Sequence, residues 1–343
     1  MKITIEDVAK EAGVSITTVS RVINNNYPVK KETRKKVEEA IEKLKFNPNV
    51  LARGLINQKT DTVGIIVPST TNLFFPTVVK GIDNVLKKQG YNIYLCDTDN
   101  SEKEEVRYVK SLLGRVVDGI IIIDPQTFNM KNGFFEEISR QVPLVCINGY
   151  NKNINCNFVL NNEETGAIEA MEYLISLGHK KIAFIRGEKS YSYDLKEKVY
   201  KDILKKYGYD QHQEIINIGY GNSYDTVDTT MKYIEDLLNL KTCPTAFFAC
   251  NDIMALGTLN ACKKKGLDVP EYVSIVGFDN IIISRLSQPK ITTVDQNMYQ
   301  LGKYAAEMLL NIINTQSKKV DRIILNTKLI MRDSCKRARK EEV

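Results

Sequence analysis

Tryptophan is absent from the 343 residues, and histidine occurs only twice, at His179 and His212. That leaves little for a His-rich metal centre or a Ser/His/Asp hydrolase. The seven cysteines, Cys96, Cys146, Cys156, Cys243, Cys250, Cys262 and Cys335, are odd in number and never closer than seven positions. No CxxC redox pair or paired zinc spacing arises from them, so they read as core or free thiols, and neither a metal nor a cofactor is expected. Long apolar runs are missing too. Stretches such as residues 120–123 fall far short of the roughly 20 residues that cross a bilayer, so no membrane partner is expected. The opening MKITIEDVAK has neither a continuous apolar segment nor a small-residue cleavage site, which points to a cytoplasmic protein. Gly219-Tyr220-Gly221 lacks a third glycine, and no Walker, GxSxG or HExxH pattern occurs. Enzymes are thereby disfavoured, although carboxylates alone leave acid/base chemistry open.

The charge that is present is unevenly placed. The length suggests two or three domains, and of the formal +6 charge residues 1–60 carry +5. A small basic module on a nearly neutral body suits an anionic partner met at one end, a nucleic acid or a membrane surface. Pattern decides between these. Thr4, with Asp7 three positions on, is a capping-box-like start for a short helix carrying Ile5, Val8 and Ala9 and ending near Gly13. Ser15 is an N-cap for a second helix, residues 16–24, whose Val19, Val22 and Ile23 face inward. Two short helices joined by a tight glycine turn make a helix-turn-helix. A third helix, about 31–45, repeats Val37, Ala40, Ile41 and Leu44 on one stripe and closes a small core.

A recognition helix with that inward face leaves Ile16, Thr17, Thr18, Ser20, Arg21 and Asn24 outside. Arg21 suits a bidentate pair with guanine, while Ile16 and Thr17 suit thymine methyls and base edges. Ser15, Thr18, Ser20, Asn24 and, further on, Asn49 suit phosphates, which fix register without reading sequence. The alternative for Arg21 is a solvated surface charge. Asn47 as N-cap and Pro48 as first helical residue then mark another start. About two turns long and weakened by Gly54, such a helix is marginal alone and forms only when something packs on it. Its Ala52 and Leu55 make a small apolar edge able to enter a minor groove as a wedge. A plain linker is the alternative.

ITIEDVAKEAGVSITTVSRVINN followed by ETRKKVEEAIEKLKFNPNVLARGL closely resembles the headpiece and hinge of the lactose-repressor/galactose-repressor family of bacterial transcription regulators. The resemblance runs on through VGIIVPSTTNLFFPTVVKGID, VDGIIII, LGHKKIAFIRG, PTAFFACNDIMALG, VSIVGFDN, ITTVDQ and LIMRDSC, nearly the whole chain. It implies a homodimeric repressor whose headpieces dock in successive major grooves of a near-palindromic double-stranded operator while hinge helices open the minor groove. It further implies a small-molecule effector, a sugar or sugar derivative, acting as inducer or corepressor.

Read by pattern alone, residues 61 onward alternate short Ile/Val-rich runs with helical stretches. The runs fall at 63–67, 93–96, 119–123 and 144–147, then at 181–185, 215–218, 246–250 and 274–277. Such runs mark strands buried on both faces of parallel sheets. The expected fold is α/β. An all-α helix-turn-helix headpiece (1–46) and a hinge helix with linker (47–60) precede a two-lobed body (61–334). The resemblance makes that body type I periplasmic-binding-protein-like, with doubly wound parallel sheets. The near lobe is assigned 61–160 and 291–322, the far lobe 161–290 and 323–334, and 335–343 reads as a solvated basic tail.

Ligands in such folds bind at the carboxyl ends of strands. Phe74 and Phe75 follow the first strand, Asn161 and Asn162 open the far lobe, Asn251 and Asp252 follow TAFFAC, and Asp279 follows VSIVGF. Aromatic walls with converging polar groups suit a sugar-sized polyol. Phe75 reads equally as core, and Asp252 as the cap of the helix it starts. The resemblance places Asn251 and Asp279 at effector positions. Lys196 stands where the family usually has an effector-binding arginine, which replaces a bidentate fork by a point charge unless Lys196 is a solvated helix residue. Asn162 stands where aspartate is common, which removes a negative charge and predicts a ligand more acidic than a neutral sugar. The rival readings are a metabolic enzyme with an accessory headpiece, against which the missing cofactor motifs speak, and a pure ligand-binding receptor, against which the headpiece speaks.

Overall fold

The computed structural model describes residues 3–24, 27–46, 59–239 and 243–339. The chain divides into two compact units, Met1–Thr60 and Asp61–Val343.

In the first unit, α1 (Ile5–Ala12) begins at a reciprocal capping box: the Thr4 backbone N–H donates to Asp7 Oδ2 at 2.8 Å, and the Asp7 N–H donates to Thr4 Oγ1 at 3.4 Å. It ends at Gly13, whose φ of 63° is the left-handed conformation that glycine adopts at little cost. α2 (Ile16–Asn24) starts under Ser15, whose hydroxyl accepts from the Thr18 N–H at 3.2 Å. α3 (Lys31–Leu44) follows, and Val8, Val19 and Val37, one from each helix, are fully buried in the shared core. Residues 47–58, which carry the expected hinge with Asn49, Ala52 and Leu55, lie outside the described residues.

The second unit holds β1 (Thr62–Val67), β2 (Asn92–Asp97), β3 (Gly119–Ile123), β4 (Leu144–Ile147), β5 (Asn157–Asn161) and β6 (Ile182–Arg186). It continues with β7 (Glu214–Asn217), β8 (Ala246–Ala249), β9 (Ser274–Val276), β10 (Thr293–Asp295), β11 (Arg322–Leu325) and β12 (Lys328–Ile330). The near-lobe sheet runs β11-β5-β4-β3-β1-β2 and the far-lobe sheet β7-β6-β8-β9, each parallel throughout. Helices cover both faces. Ile65 joins the layer beneath helices Phe74–Leu86 and Met298–Thr315, while its neighbour Ile66 joins the layer beneath helix Glu102–Gly114. Both faces must be apolar, which is why the strand reads as a run rather than an alternation. Among the described residues no helix is long and apolar enough to cross a membrane.

The chain crosses between lobes after β5, after β10 and after β11. These crossings differ from the expected boundaries at both ends of the return segment. β11 pairs over its full length with Phe158–Asn161 of β5, so residues 323–325 belong to the near lobe. β10 instead pairs antiparallel with β12, and Val276 bridges Thr292, so 291–295 stay beside the far-lobe sheet. The carboxy-terminal segment also differs from a solvated tail, because its backbone finds partners on the far lobe. Ser334 is fully buried and donates to the Ile275 carbonyl at 2.6 Å, and the Ala338 N–H donates to the Leu177 carbonyl at 2.8 Å. His179 joins this docking, its Nε2 lying 3.0 Å from the Lys336 carbonyl. The charged end of Lys336 pairs with the Glu271 carboxylate, Arg339 Nε donates to the Glu271 carbonyl at 2.8 Å, and Arg337 and Arg339 are exposed.

Candidate ligand cleft and nucleic-acid interface

Loops at the carboxyl ends of both sheets line one cleft. From the near lobe come Phe74 and Phe75, which meet edge to face with ring centroids 5.3 Å apart. Phe75 is both wall and core: it lines the cleft and packs in the near-lobe layer. Asp124 follows β3 and Asn148 follows β4. The far lobe contributes Ser190, Ser192, Tyr193 and Lys196 after β6, Asn222 after β7, Asn251 after β8 and Asp279 after β9.

Lys196 is 2% exposed, so it is not a solvated helix residue. Its Nζ donates to Ser192 Oγ at 2.7 Å and to the Cys250 carbonyl at 3.3 Å, and it lies 3.9 Å from the Phe278 ring centroid. Glu163 Oε1 is 4.0 Å away. Asp279 accepts from Gln296 Nε2 at 2.6 Å, and Gln296 Oε1 accepts from Asn161 Nδ2 at 3.0 Å. An amide chain thus ties the lobe crossings at 161 and 296 to the cleft. Polar contacts also join the lobes directly: Asn72 Nδ2 donates to Asn222 Oδ1 at 2.8 Å, Ser69 Oγ to the Asn222 carbonyl at 2.7 Å, and Ser190 Oγ to Asp124 Oδ2 at 3.2 Å.

Two expected roles fall on neighbouring residues. Asn251, rather than Asp252, caps helix Asp252–Lys264, accepting from the Met254 N–H at 2.9 Å while still lining the cleft. Asp252 is fully buried and accepts from the Ile281 N–H at 2.8 Å and Thr293 Oγ1 at 2.5 Å, fastening the loop after β9 to β10. Asn162 likewise caps helix Glu163–Ser176 by accepting from the Thr165 N–H at 3.3 Å, and it lines an adjoining cavity rather than this cleft. The carboxylate that enters is Glu163, one position on. The substitution at Asn162 therefore removes no charge from the cleft, and the argument for an acidic ligand falls with it. Asp124, Glu163, Asn222 and Gln296 are cleft residues that sequence reasoning missed.

Burial lifts several carboxyls. Glu105 and Asp252 rise to about 7 chiefly through loss of water, and Asp124 does so with the nearby Glu163 adding to the effect. Burial also carries Asp279 well above the usual carboxylate range. In the unfolded chain such groups titrate near 4, so between about pH 4 and 7 the folded body holds protons that the unfolded chain has released. Stability should therefore fall as pH rises through that window, by at most about 1.4 kcal/mol per pH unit for each group. His179, pushed down by burial, works the other way below its ordinary value, but it is one group against four. The carboxyls held low, such as Glu172 and Glu197, lose their contribution only at more acidic pH. Thermal melts should accordingly give a higher midpoint at pH 5.5 than at pH 8, with a shallower dependence for Asp252→Asn. A midpoint that climbs over this range would contradict the assignment.

On the first unit, α2 presents Ile16, Thr17 and Arg21 exposed, with Ile16 at 47%. Thr18 and Ser20 are half-buried. The Ser15 and Thr18 hydroxyls lie 2.9 Å apart, engaged in the cap. Arg21 is held over the Tyr27 ring, 5.0 Å from its centroid. Asn24 closes the helix.

A helix-turn-helix unit ahead of a two-lobed parallel-sheet body with a polar cleft defines a DNA-binding regulator on a periplasmic-binding-protein-like body. Residues 4–49 match the family described as bacterial regulatory proteins, lacI family, and residues 171–335 match the periplasmic binding protein-like domain. Catabolite control protein A of Priestia megaterium is 37% identical over 98% of this chain and 100% of its own length. A solved structure of the lac repressor dimer bound to operator and the anti-inducer ONPF superposes with a TM-score of 0.84 at 27% identity, covering 98% of this chain and 100% of that one. A complex of the transcriptional regulator CelR with cellobiose matches with a TM-score of 0.69 at 27% identity, over 97% of this chain and 100% of that one. The chain belongs to the LacI family of bacterial transcription regulators.

Proposed function

We propose that the chain is a homodimeric repressor of a near-palindromic operator, acting in the cytoplasm and governed by a small hydroxylated ligand held between its lobes. In this reading Ile16, Thr17 and Arg21 contact bases, and Ser15, Thr18, Ser20, Asn24 and Asn49 contact phosphates. Ala52 and Leu55 form the minor-groove wedge. Phe74, Phe75, Lys196, Asn251 and Asp279 hold the ligand, joined by Asp124, Glu163 and Gln296. The lac repressor with operator and the CelR–cellobiose complex support the reading.

One observation carries it: the cleft walls come from both lobes, and the lobes already bond through Asn222 and Asp124. A ligand there has a different affinity for each lobe arrangement, and that difference is the free energy available to shift DNA affinity. Selection of bound duplexes from a random pool, repeated with a panel of sugars, tests it. The expected result is a near-palindromic consensus whose recovery changes with one of the sugars. Recovery of no palindrome would reject the regulator reading.

A further inference from the structure

We propose that the ligand of the cleft carries a protonated amine seated between Asp124 and Glu163, so that its class is an amino sugar or a similar aminated polyol. This rests on the cleft being the regulatory ligand site. Among the described residues, Asp124, Glu163 and Asp279 line the cleft against one cation, Lys196. Lys196 is also spoken for within its own lobe, by Ser192, the Cys250 carbonyl and the Phe278 ring, with Glu163 at 4.0 Å. Asp124 accepts from a neutral hydroxyl, Ser190 Oγ at 3.2 Å, and Lys196 lowers its carboxyl less than Glu163 raises it. Asp124 and Glu163 line the same cleft, and the nearby charge of Glu163 adds to burial in raising the Asp124 carboxyl, an effect that a cation seated beside them reverses.

The two carboxyls come from opposite lobes, Asp124 from the end of β3 and Glu163 from the first turn of helix Glu163–Ser176. An ammonium between them is attracted from both sides and replaces a repulsion across the cleft with two charge-assisted hydrogen bonds. An anion in the same place meets carboxyls on both sides. Phe74 and Phe75, packed edge to face, give the cleft an aromatic wall, and aromatic rings favour a cation or the apolar face of a sugar. Asn148 lines the cleft with an amide suited to hydroxyls, while the Asn251 amide is engaged with the Met254 N–H and the Gly221 carbonyl; a hydroxylated amine therefore fits better than a simple alkylamine.

Calorimetry on the full chain near neutral pH tests this, using glucosamine, galactosamine and mannosamine, each against its neutral hexose and its hexuronic acid. At least one amine should bind about tenfold or more tighter than its neutral counterpart. Asp124→Asn and Glu163→Gln should each remove that advantage, with thermal melts checking that both variants fold. If they do not, the ranking on the unaltered chain decides. Binding of the neutral hexose or the uronic acid as tight as that of its amine in every set, or no binding of any amine at millimolar concentration, overturns the proposal. Operator selection separates this failure from the wider one. A palindrome whose occupancy responds to a neutral sugar or a uronic acid removes the amine and leaves the repressor; no palindrome removes the repressor itself.

Discussion

Arg21→Ala should bind random duplexes within about threefold of the unaltered chain yet lose about 1–3 kcal/mol of discrimination at one base pair of each operator half-site. The expectation follows from where the guanidinium sits. Arg21 lies on the exposed face of α2, beyond the inward Val19 and Val22, and Tyr27 holds it at 5.0 Å from the ring centroid. A planar fork steadied against an aromatic face loses less freedom on forming a bidentate pair than a free side chain would. Guanine offers that pair in the major groove through O6 and N7. A phosphate contact would behave differently: its loss weakens all sequences alike and lowers the salt slope by about one. Competition with single-base-pair operator variants, repeated at several salt concentrations, distinguishes the two. A uniform loss with no base pair singled out would move Arg21 from base reading to backbone contact.

The headpiece was legible because its signals are local. The Thr4/Asp7 box, the Gly13 turn and the Ser15 cap each act within three or four residues, and the structure forms all of them. The central strands were legible from the Ile/Val runs, since burial on both faces leaves no other composition, whereas the edge strands β2 and β7, read in the same way, are largely open to solvent. The cleft was harder. Asn72 and Asn222 meet across 150 positions, and Gln296 reaches Asn161 across 135. No spacing in the sequence records such pairs, because the lobe crossings create them. Errors of one residue had large effects as well. Placing the cap at Asp252 rather than Asn251, and the lost charge at Asn162 beside the intact Glu163, changed the expected chemistry of the cleft. A helix boundary sets which of two adjacent polar residues turns back to cap and which turns inward, and composition does not fix that boundary.

Gly302→Ala should lower the stability of the second unit by about 3 kcal/mol or more and, where it still folds, blunt the ligand response. An ideal Cβ at Gly302 would lie 2.0 Å from the Val78 carbonyl oxygen, and one at Gly81 would lie 2.2 Å from the Tyr299 carbonyl oxygen. Helices Phe74–Leu86 and Met298–Thr315 thus touch backbone to backbone, each through a glycine. A methyl group there meets main chain rather than a side chain that can swing aside, so one helix must shift bodily. One of the two helices begins with Phe74 and Phe75, the aromatic wall of the cleft, and the other starts just beyond Gln296, which also lines it. The packing defect therefore reaches the ligand without any change to a ligand-facing residue. A melting midpoint lower by about 6–12 °C is expected for a body of this size. Gly114→Ala is the control: Gly114 is also helical, the last residue of helix Glu102–Gly114, its Cβ would meet nothing within 4 Å, and its midpoint should stay near that of the unaltered chain. Coincident melts for Gly302→Ala and Gly114→Ala would mean that the two helices have room to part, and that the glycines do not set the position of the aromatic wall.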